Sequence, residues 1–538
     1  MRALLGLSDL LARACDHTPA APALSQAGAT SRSTPPPLTY EELFSRVCRL
    51  ASGFKSLGLK PGERVAVIAE KRFDAVVAMI AVAHAGGVFV PINPVLKSPQ
   101  IAHILADSAA KILVAPALRL ALLDHTPPPS LTTLLRFGDP APASPDPPPG
   151  GESLDLDALA GAGDPIAAHP VVDDDPACFF YTSGSTGLPK AVVVTHRNLI
   201  AGAQSVASRL DNRPDDRLLA ALPLGFDAGF SQLTTAFAVG AEAVLHDYLL
   251  PQDVIAACAH HRITGLTGVP PLWAQLARLD WPAAATASLR FLANTGGAMP
   301  AAVLARLRAL APAARIHLMY GLTEAFRSTT LDPERVERKP GSVGRAVANA
   351  EVLVLRPDGG RCAPNEIGEI VHRGAFVAKG YWNDPEGTAR RFRPIPPHPG
   401  EPFRPGLAVW SGDLGWQDDE GDLTIVGRSE GLIKTSGYRV SPTEIEAPAH
   451  ASGLIEDAVA FGLPDPLLGE RLALVVTAPP GGAPVDLDAL RGHLRAQLPA
   501  YLVPALLTQM DSLPRTASGK ADRAAARARV LKDQGSPP

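Results

Sequence analysis

The chain has 538 residues, 46% of them hydrophobic, and its 50 basic and 54 acidic side chains leave a net charge of −4. That length exceeds one simple core, the apolar content excludes a chain disordered by composition, and the charge balance offers no electrostatic footprint for nucleic acid or anionic lipid. The five cysteines, Cys15, Cys48, Cys178, Cys258 and Cys362, are widely spaced with no C-x-x-C pair, which supports neither a zinc site nor a disulfide framework and makes a reducing cytoplasm the natural compartment.

The N-terminus carries a short apolar run interrupted by Asp9, Arg13 and Asp16, which reads as an amphipathic helix rather than a signal peptide. A strand is expected over Arg64–Ala69, a helix over Phe73–Ala83, a strand over Val88–Ile92, a helix over Pro99–Asp107 and a strand over Lys111–Ala115. The long apolar stretch from Ala75 to Ile92 contains His84, Gly86, Gly87 and Pro91, so a helix, a glycine turn and a buried strand explain it better than a membrane span. Such alternation points to an α/β protein with parallel sheets wrapped by helices. The proline-rich stretch from Thr126 to Pro149 reads as a solvent-exposed excursion, not a core element. A last helix rich in Ala and Arg is expected from Ala521 onward.

The most informative segment is Tyr181-Thr182-Ser183-Gly184-Ser185-Thr186-Gly187-Leu188-Pro189-Lys190, set between the apolar strands Ala177–Phe180 and Ala191–Val194. Glycines let backbone N–H groups approach phosphate oxygens, hydroxyls add donors and Lys190 adds charge. No Gly-Lys-Ser/Thr ending follows and no helix opens directly, so this is not a Walker loop.

This segment resembles the phosphate loop of the adenylate-forming, or AMP-binding, superfamily, which holds acyl-CoA synthetases, peptide-synthetase adenylation domains and luciferases. Further motifs of that family follow in order, from about Leu38 to Lys520. Gly296, Gly297 and Ala298 sit in Asn294-Thr295-Gly296-Gly297-Ala298, which the resemblance assigns to adenine and the acyl pocket. In Tyr320-Gly321-Leu322-Thr323-Glu324, Tyr320 is expected to stack on adenine, Thr323 to donate to the α-phosphate and Glu324 to hold Mg²⁺ on the ATP phosphates. Asp413 in Ser411-Gly412-Asp413 is expected to bind the ribose diol, and Arg428 to contact ribose and phosphate. The hinge falls on Glu430, where the family usually carries Asp or Lys. Ser436 and Gly437 lie in the loop expected to line the thiol tunnel. Lys520, closing Leu513-Pro514-Arg515-Thr516-Ala517-Ser518-Gly519-Lys520, is expected to be the catalytic lysine of adenylation, its ammonium stabilising charge between carboxylate and α-phosphate.

The resemblance implies a large N-terminal domain over residues 1–428, of helix-flanked sheets plus a β-barrel-like subdomain, and a small, mobile α+β C-terminal domain over 429–538. It implies an AMP-forming acyl-CoA ligase. ATP and a carboxylic acid are its substrates, Mg²⁺ is its metal, and the thiol acceptor is CoA or the phosphopantetheine of a separate carrier protein. Around Phe226, Asp227 and Gly268 the acyl pocket departs from the usual Pro-Leu-Phe-His pattern of acyl-CoA synthetases. The Phe226-Asp227 pair is similar to peptide-synthetase adenylation domains, where the Asp holds a substrate ammonium; equally, Asp227 is a natural cap for the following helix, Gly229 to Val239. Tyr-Gly-Leu-Thr-Glu is instead closer to acyl-CoA ligases, with a looser likeness to those found with exosortase systems. An aminoacyl-adenylating enzyme and a catalytically silent nucleotide-binding protein are the alternatives.

Overall fold

The computed structural model describes residues 4–28, 35–120, 127–138, 151–183, 189–339, 341–400, 402, 404–428, 433–440, 442–479, 481–514 and 521–533. The expected elements near the N-terminus form within a residue or two: strands Arg64–Ile68, Val88–Ile92 and Ile112–Pro116, and helices Phe73–His84 and Ser98–Asp107. Phe73–His84 is apolar on every side because it lies inside the main core, packed on the helix Tyr40–Ser56. Gly86, at φ +83°, makes the turn out of it into the strand Val88–Ile92.

These strands belong to a seven-stranded sheet, which runs Glu152–Asp155, Thr133–Phe137, Ile112–Pro116, Arg64–Ile68, Val88–Ile92, Pro176–Ser183, Pro189–Thr195. All neighbours are parallel except the last pair, which is an antiparallel hairpin. One expectation fails here. The stretch from Thr126 to Pro149 is not simply an excursion, because Thr133–Phe137 lies inside the sheet with Leu134, Leu135 and Phe137 buried. The prolines flank this segment without entering it, so its backbone N–H groups remain available to the ladder.

A second, fourteen-stranded sheet begins as a parallel layer, with Pro22–Ala27, Glu242–His246, Arg217–Ala220, Gly265–Gly268, Phe291–Asn294 and Arg315–Leu322 side by side. It continues as antiparallel strands through Phe326–Leu331, Ser342–Ala346, Leu423–Arg428, Ala408–Gln417, Gly368–Gly374 and Ala350–Leu355. The end strand, Ala350–Leu355, packs back against Phe326–Leu331. The barrel-like part is therefore an antiparallel extension of the main sheet.

The C-terminal part is α+β. Its five-stranded sheet contains the hairpin Ile433–Thr435 and Tyr438–Val440, the long antiparallel pair Asp457–Asp465 and Gly469–Thr477, and Leu506–Gln509. Helices Pro442–Ala451, Leu487–Gln497 and Arg523–Asp533 accompany it. Two hydrophobic clusters composed only of residues from Ile433 onward form its core. Among the described residues, no helix is long and apolar enough to cross a membrane.

Candidate active site

The expected phosphate loop joins two paired strands, in which Thr182 faces Lys190 and Ser183 faces Pro189. Gly184, Ser185, Thr186 and Gly187 at its tip lie outside the described residues, as do Glu430 and Lys520; of Ser183 and Arg428 only the backbone is described. The Lys190 ammonium donates to Asp384 Oδ2 at 2.7 Å. Asp384 in turn accepts from the Gly387 backbone N–H at 2.8 Å, capping the helix Pro385–Arg391. The hydrogen bond from Lys190 holds the Asp384 carboxyl below its ordinary range.

Thr323 and Glu324 owe their positions to a tight turn. The strands Arg315–Leu322 and Phe326–Leu331 pair through a register shift between Tyr320 and Gly321. A Cβ on Gly321 would lie 1.8 Å from the Phe326 carbonyl oxygen, so only glycine fits. Within the turn the Thr323 hydroxyl donates to Asp227 Oδ1 at 3.1 Å. Glu324, buried, accepts from the Tyr381 hydroxyl at 2.6 Å. Burial, reinforced by the Glu324 carboxylate, raises the Tyr381 phenol far above its ordinary range, so it stays a donor. The Lys190 ammonium lies 5.8 Å from the centroid of the Tyr381 ring, which links the loop lysine to Glu324. The Glu324 carboxylate beside the Thr323 hydroxyl is a hard oxygen donor set, whose chemistry fits a magnesium ion shared with phosphates.

Asp413 is fully buried, and the Tyr320 hydroxyl donates to its Oδ2 at 2.6 Å. Asp413 faces Arg428 across the paired strands Ala408–Gln417 and Leu423–Arg428. Lys434, from the C-terminal part, brings its ammonium to 3.6 Å from Asp413 Oδ1. The expected adenine and ribose residues thus touch one another, and a C-terminal lysine reaches the same carboxylate.

The capping alternative for Asp227 does not hold. The helix runs Asp227–Val239, so Asp227 is its first residue; Phe226 is the N-cap, with no side-chain capping bond. The backbone turns one residue earlier than a capping aspartate would need, and the carboxylate faces Thr323 instead.

The C-terminal hairpin closes the site. Thr435 pairs with Tyr438 across Ser436 and Gly437, whose φ angles are +54° and +79°, the left-handed pair that a two-residue hairpin turn requires. A Cβ on Gly437 would lie 3.2 Å from Val269, and one on Gly296 would lie 3.7 Å from the Gly437 carbonyl oxygen. Gly296, Gly297 and Ala298 are exposed, with Asn294 donating to the Gly297 carbonyl at 2.8 Å to fix the turn. Tyr438 packs edge-on to Phe226, ring centroids 5.5 Å apart, and stacks on Tyr501 at 3.7 Å. Burial pushes the Tyr438 phenol up to about 12. A Cβ on Gly268 would lie 2.8 Å from the Trp273 indole, so the ring packs directly on the backbone at that position.

Sequence reasoning brought Thr323, Glu324, Tyr320, Asp413, Asp227, Phe226, Gly296 and Gly437 to one region, and the structure assembles them there. It did not single out Tyr381 or Asp384. Tyr381 lies 57 positions from Glu324, and no local pattern marks that contact.

The chain matches the family described as AMP-binding enzyme over residues 11–382, and the AMP-binding enzyme C-terminal domain over residues 444–520. It is 35% identical to a feruloyl-CoA synthase of Amycolatopsis sp. over 90% of this chain and 92% of that protein. It is 32% identical to an L-proline–[L-prolyl-carrier protein] ligase of Streptomyces coelicolor over 90% of this chain and 91% of that protein. Among solved structures, o-succinylbenzoate CoA synthetase of Bacillus subtilis, 26% identical, aligns over 96% of this chain and 97% of that one. The TM-score is 0.79 for its double mutant bound with the product analogue OSB-NCoA. The same enzyme in complex with the acyl-adenylate intermediate OSB-AMP scores 0.65 over equal coverage.

Proposed function

This chain belongs to the AMP-binding enzyme family, and from that premise we propose how its residues divide the work between adenylation and thiol transfer. The chain is an AMP-forming acid–thiol ligase of the acyl-CoA synthetase type. In the first half-reaction, a carboxylate oxygen of the acid attacks the α-phosphorus of ATP; the bond to the bridging oxygen breaks and pyrophosphate leaves. Thr323, the loop 182–187, Lys190 and Lys520 stabilise the developing charge. Asp413 and Arg428 hold the ribose, and Tyr320 lies against the base. Glu324 would hold Mg²⁺, which would supply positive charge against the phosphates. Lys190, ion-paired with Asp384, exchanges that partner for a phosphate when ATP arrives.

In the second half-reaction a thiolate sulfur attacks the acyl carbon, and the carbon–oxygen bond to AMP breaks. The observation that carries this half is the hairpin turn Ser436-Gly437 seated against Val269 and beside Gly296, with Tyr438 on Phe226. The better superposition on the relative bound with its CoA product analogue supports the same reading: this arrangement is the thiol-transfer state. The domains divide at residue 428, and Glu430 is the pivot by which the C-terminal domain exchanges Lys520 for this hairpin.

CoA is the preferred acceptor and the cytoplasm the preferred compartment, in keeping with five cysteines that form no disulfide. A carrier-protein pantetheine is the second reading for the acceptor. It is favoured by Asp227, whose carboxylate faces Thr323 where a substrate ammonium would lie. Acid-dependent ATP–pyrophosphate exchange tests the first half-reaction, and its loss in Lys520→Ala is the expected result; full exchange in that variant removes Lys520 from the mechanism. Thioester formation with CoA against a pantetheinylated carrier separates the acceptors.

A further inference from the structure

The strand Gly368–Gly374 turns Ile370 and His372 to one face, because side chains two residues apart share a face. That face meets a cluster of Tyr320, Val352, Val354, Ile370 and Leu423, and Val352 is the register partner of His372. His372 is 1% exposed. A valine or isoleucine would fill such a strand position without the cost of burying an imidazole. The polar side chain is matched by a polar partner: the Ser328 hydroxyl, equally buried, shares a hydrogen bond of 2.7 Å with His372 Nδ1.

This contact crosses the inside of the barrel-like part. Three strands lie between Gly368–Gly374 and Phe326–Leu331 in the order of the sheet, yet His372 of the first meets Ser328 of the second. Ser328 is next to Thr329, the register partner of Tyr320. The imidazole lies against the Tyr320 ring itself, with centroids 5.5 Å apart and planes inclined at 44°, within the range in which aromatic pairs attract. At its other end Tyr320 donates to Asp413, which lies on Ala408–Gln417, the strand paired with Gly368–Gly374. Ser328, His372, Tyr320 and Asp413 thus form one buried chain of contacts over four strands. The tyrosine ring is held at two places, its hydroxyl by Asp413 and its side by His372. Buried polar networks of this kind fix one arrangement of the groups in them.

We propose that His372 is a positioning residue for the adenosine half of the site. Anchored by Ser328, it sets the Tyr320 ring, and with it the hydrogen bond to Asp413, before a nucleotide arrives; it acts on neither the phosphates nor the acid. The inference rests on the reading above that Tyr320 and Asp413 bind adenosine.

The test is calorimetric binding of AMP and, separately, of magnesium pyrophosphate to the full chain, neither of which needs the acid. His372→Leu, which removes both the ring and the hydrogen bond, is expected to weaken AMP about five- to tenfold, the worth of one aromatic pair, with pyrophosphate within about twofold of wild type. Tyr320→Leu is expected to weaken AMP at least as much. The double variant should bind AMP within about twofold of Tyr320→Leu alone, because His372 acts through that ring. If H372L does not fold, H372N, which keeps an amide for Ser328 but loses the ring, carries the same comparison. Unchanged AMP binding in the His372 variant, with a loss in Tyr320→Leu, overturns the inference and leaves the adenosine reading standing. Unchanged AMP binding in Tyr320→Leu overturns that reading and the inference with it. Equal loss of AMP and pyrophosphate in the His372 variant, or losses that add in the double variant, also overturns the inference.

Discussion

The walls of the site and the hairpin that closes it are built differently. Tyr320 and Asp413 sit on buried strands of one continuous sheet and Glu324 in the turn between two of its strands, each with a short hydrogen bond to a partner from a distant part of the chain. The Thr435–Tyr438 turn belongs to a sheet with its own core and meets the body through a few contacts at Val269, Phe226 and Asp413. A rigid wall suits in-line attack on phosphorus, where small misplacements are costly; a detachable hairpin suits a second acceptor that must arrive later. On the proposed mechanism, adenylation draws on the body together with Lys520, and thiol transfer on the hairpin contact.

Lys520→Ala should break the comparison most severely. Adenylation is expected to fall by ~10³-fold, in the range for loss of one preorganised charge, while thioester formation from supplied acyl-adenylate survives. Rapid-quench assays of each half-reaction check this. Gly437→Leu is the mirror variant. A side chain at φ +79° is strained and would press on Val269, so the hairpin should unseat. Thioester formation is expected to fall ~10²-fold with pyrophosphate exchange within about threefold of wild type, a split that sharpens the division.

Tyr381→Phe removes the donor to Glu324 while keeping the ring beside Lys190. A loss of about tenfold in exchange, partly restored by high magnesium, is expected from one hydrogen bond to a buried carboxylate. The smallest effect concerns the body's stability. Burial lowers both His196 and His317 to about 4, below the unfolded value near 6.5, so each is neutral when folded. Between about 6.5 and 4 the unfolded chain binds more protons, so stability rises with pH and is lost on acidification, by at most ~3 kcal/mol per histidine. The melting temperature should fall across that window, and His317→Leu should flatten the fall, since neither ring nitrogen has a partner among the described residues.

What the sequence could tell depended on range. Strands such as Val88–Ile92 and the pair around the phosphate loop were legible because local apolar runs bounded by glycine and proline specify them. Thr133–Phe137 was hidden because its flanking prolines outweigh five residues of pattern, and only pairing with Ile112–Pro116 makes it a core strand. Thr323, Glu324 and Asp413 were legible because the family's motifs are local; their partners Asp227, Tyr381 and Lys434 are set by long-range packing. Asp227 was open to two readings because a helix start is uncertain by a residue, and that residue decides whether the carboxylate caps or faces the site.

The central claim is that one chain makes an acyl-adenylate with its body and Lys520 and then resolves it at the hairpin. A single-turnover experiment with radiolabelled acid and MgATP tests it directly. Without thiol, enzyme-bound acyl-AMP should accumulate to about one equivalent per chain; on addition of CoA or carrier pantetheine it should convert to thioester with release of AMP. Thioester formed with no acyl-AMP preceding it, or acyl-AMP that no thiol discharges, would contradict the account.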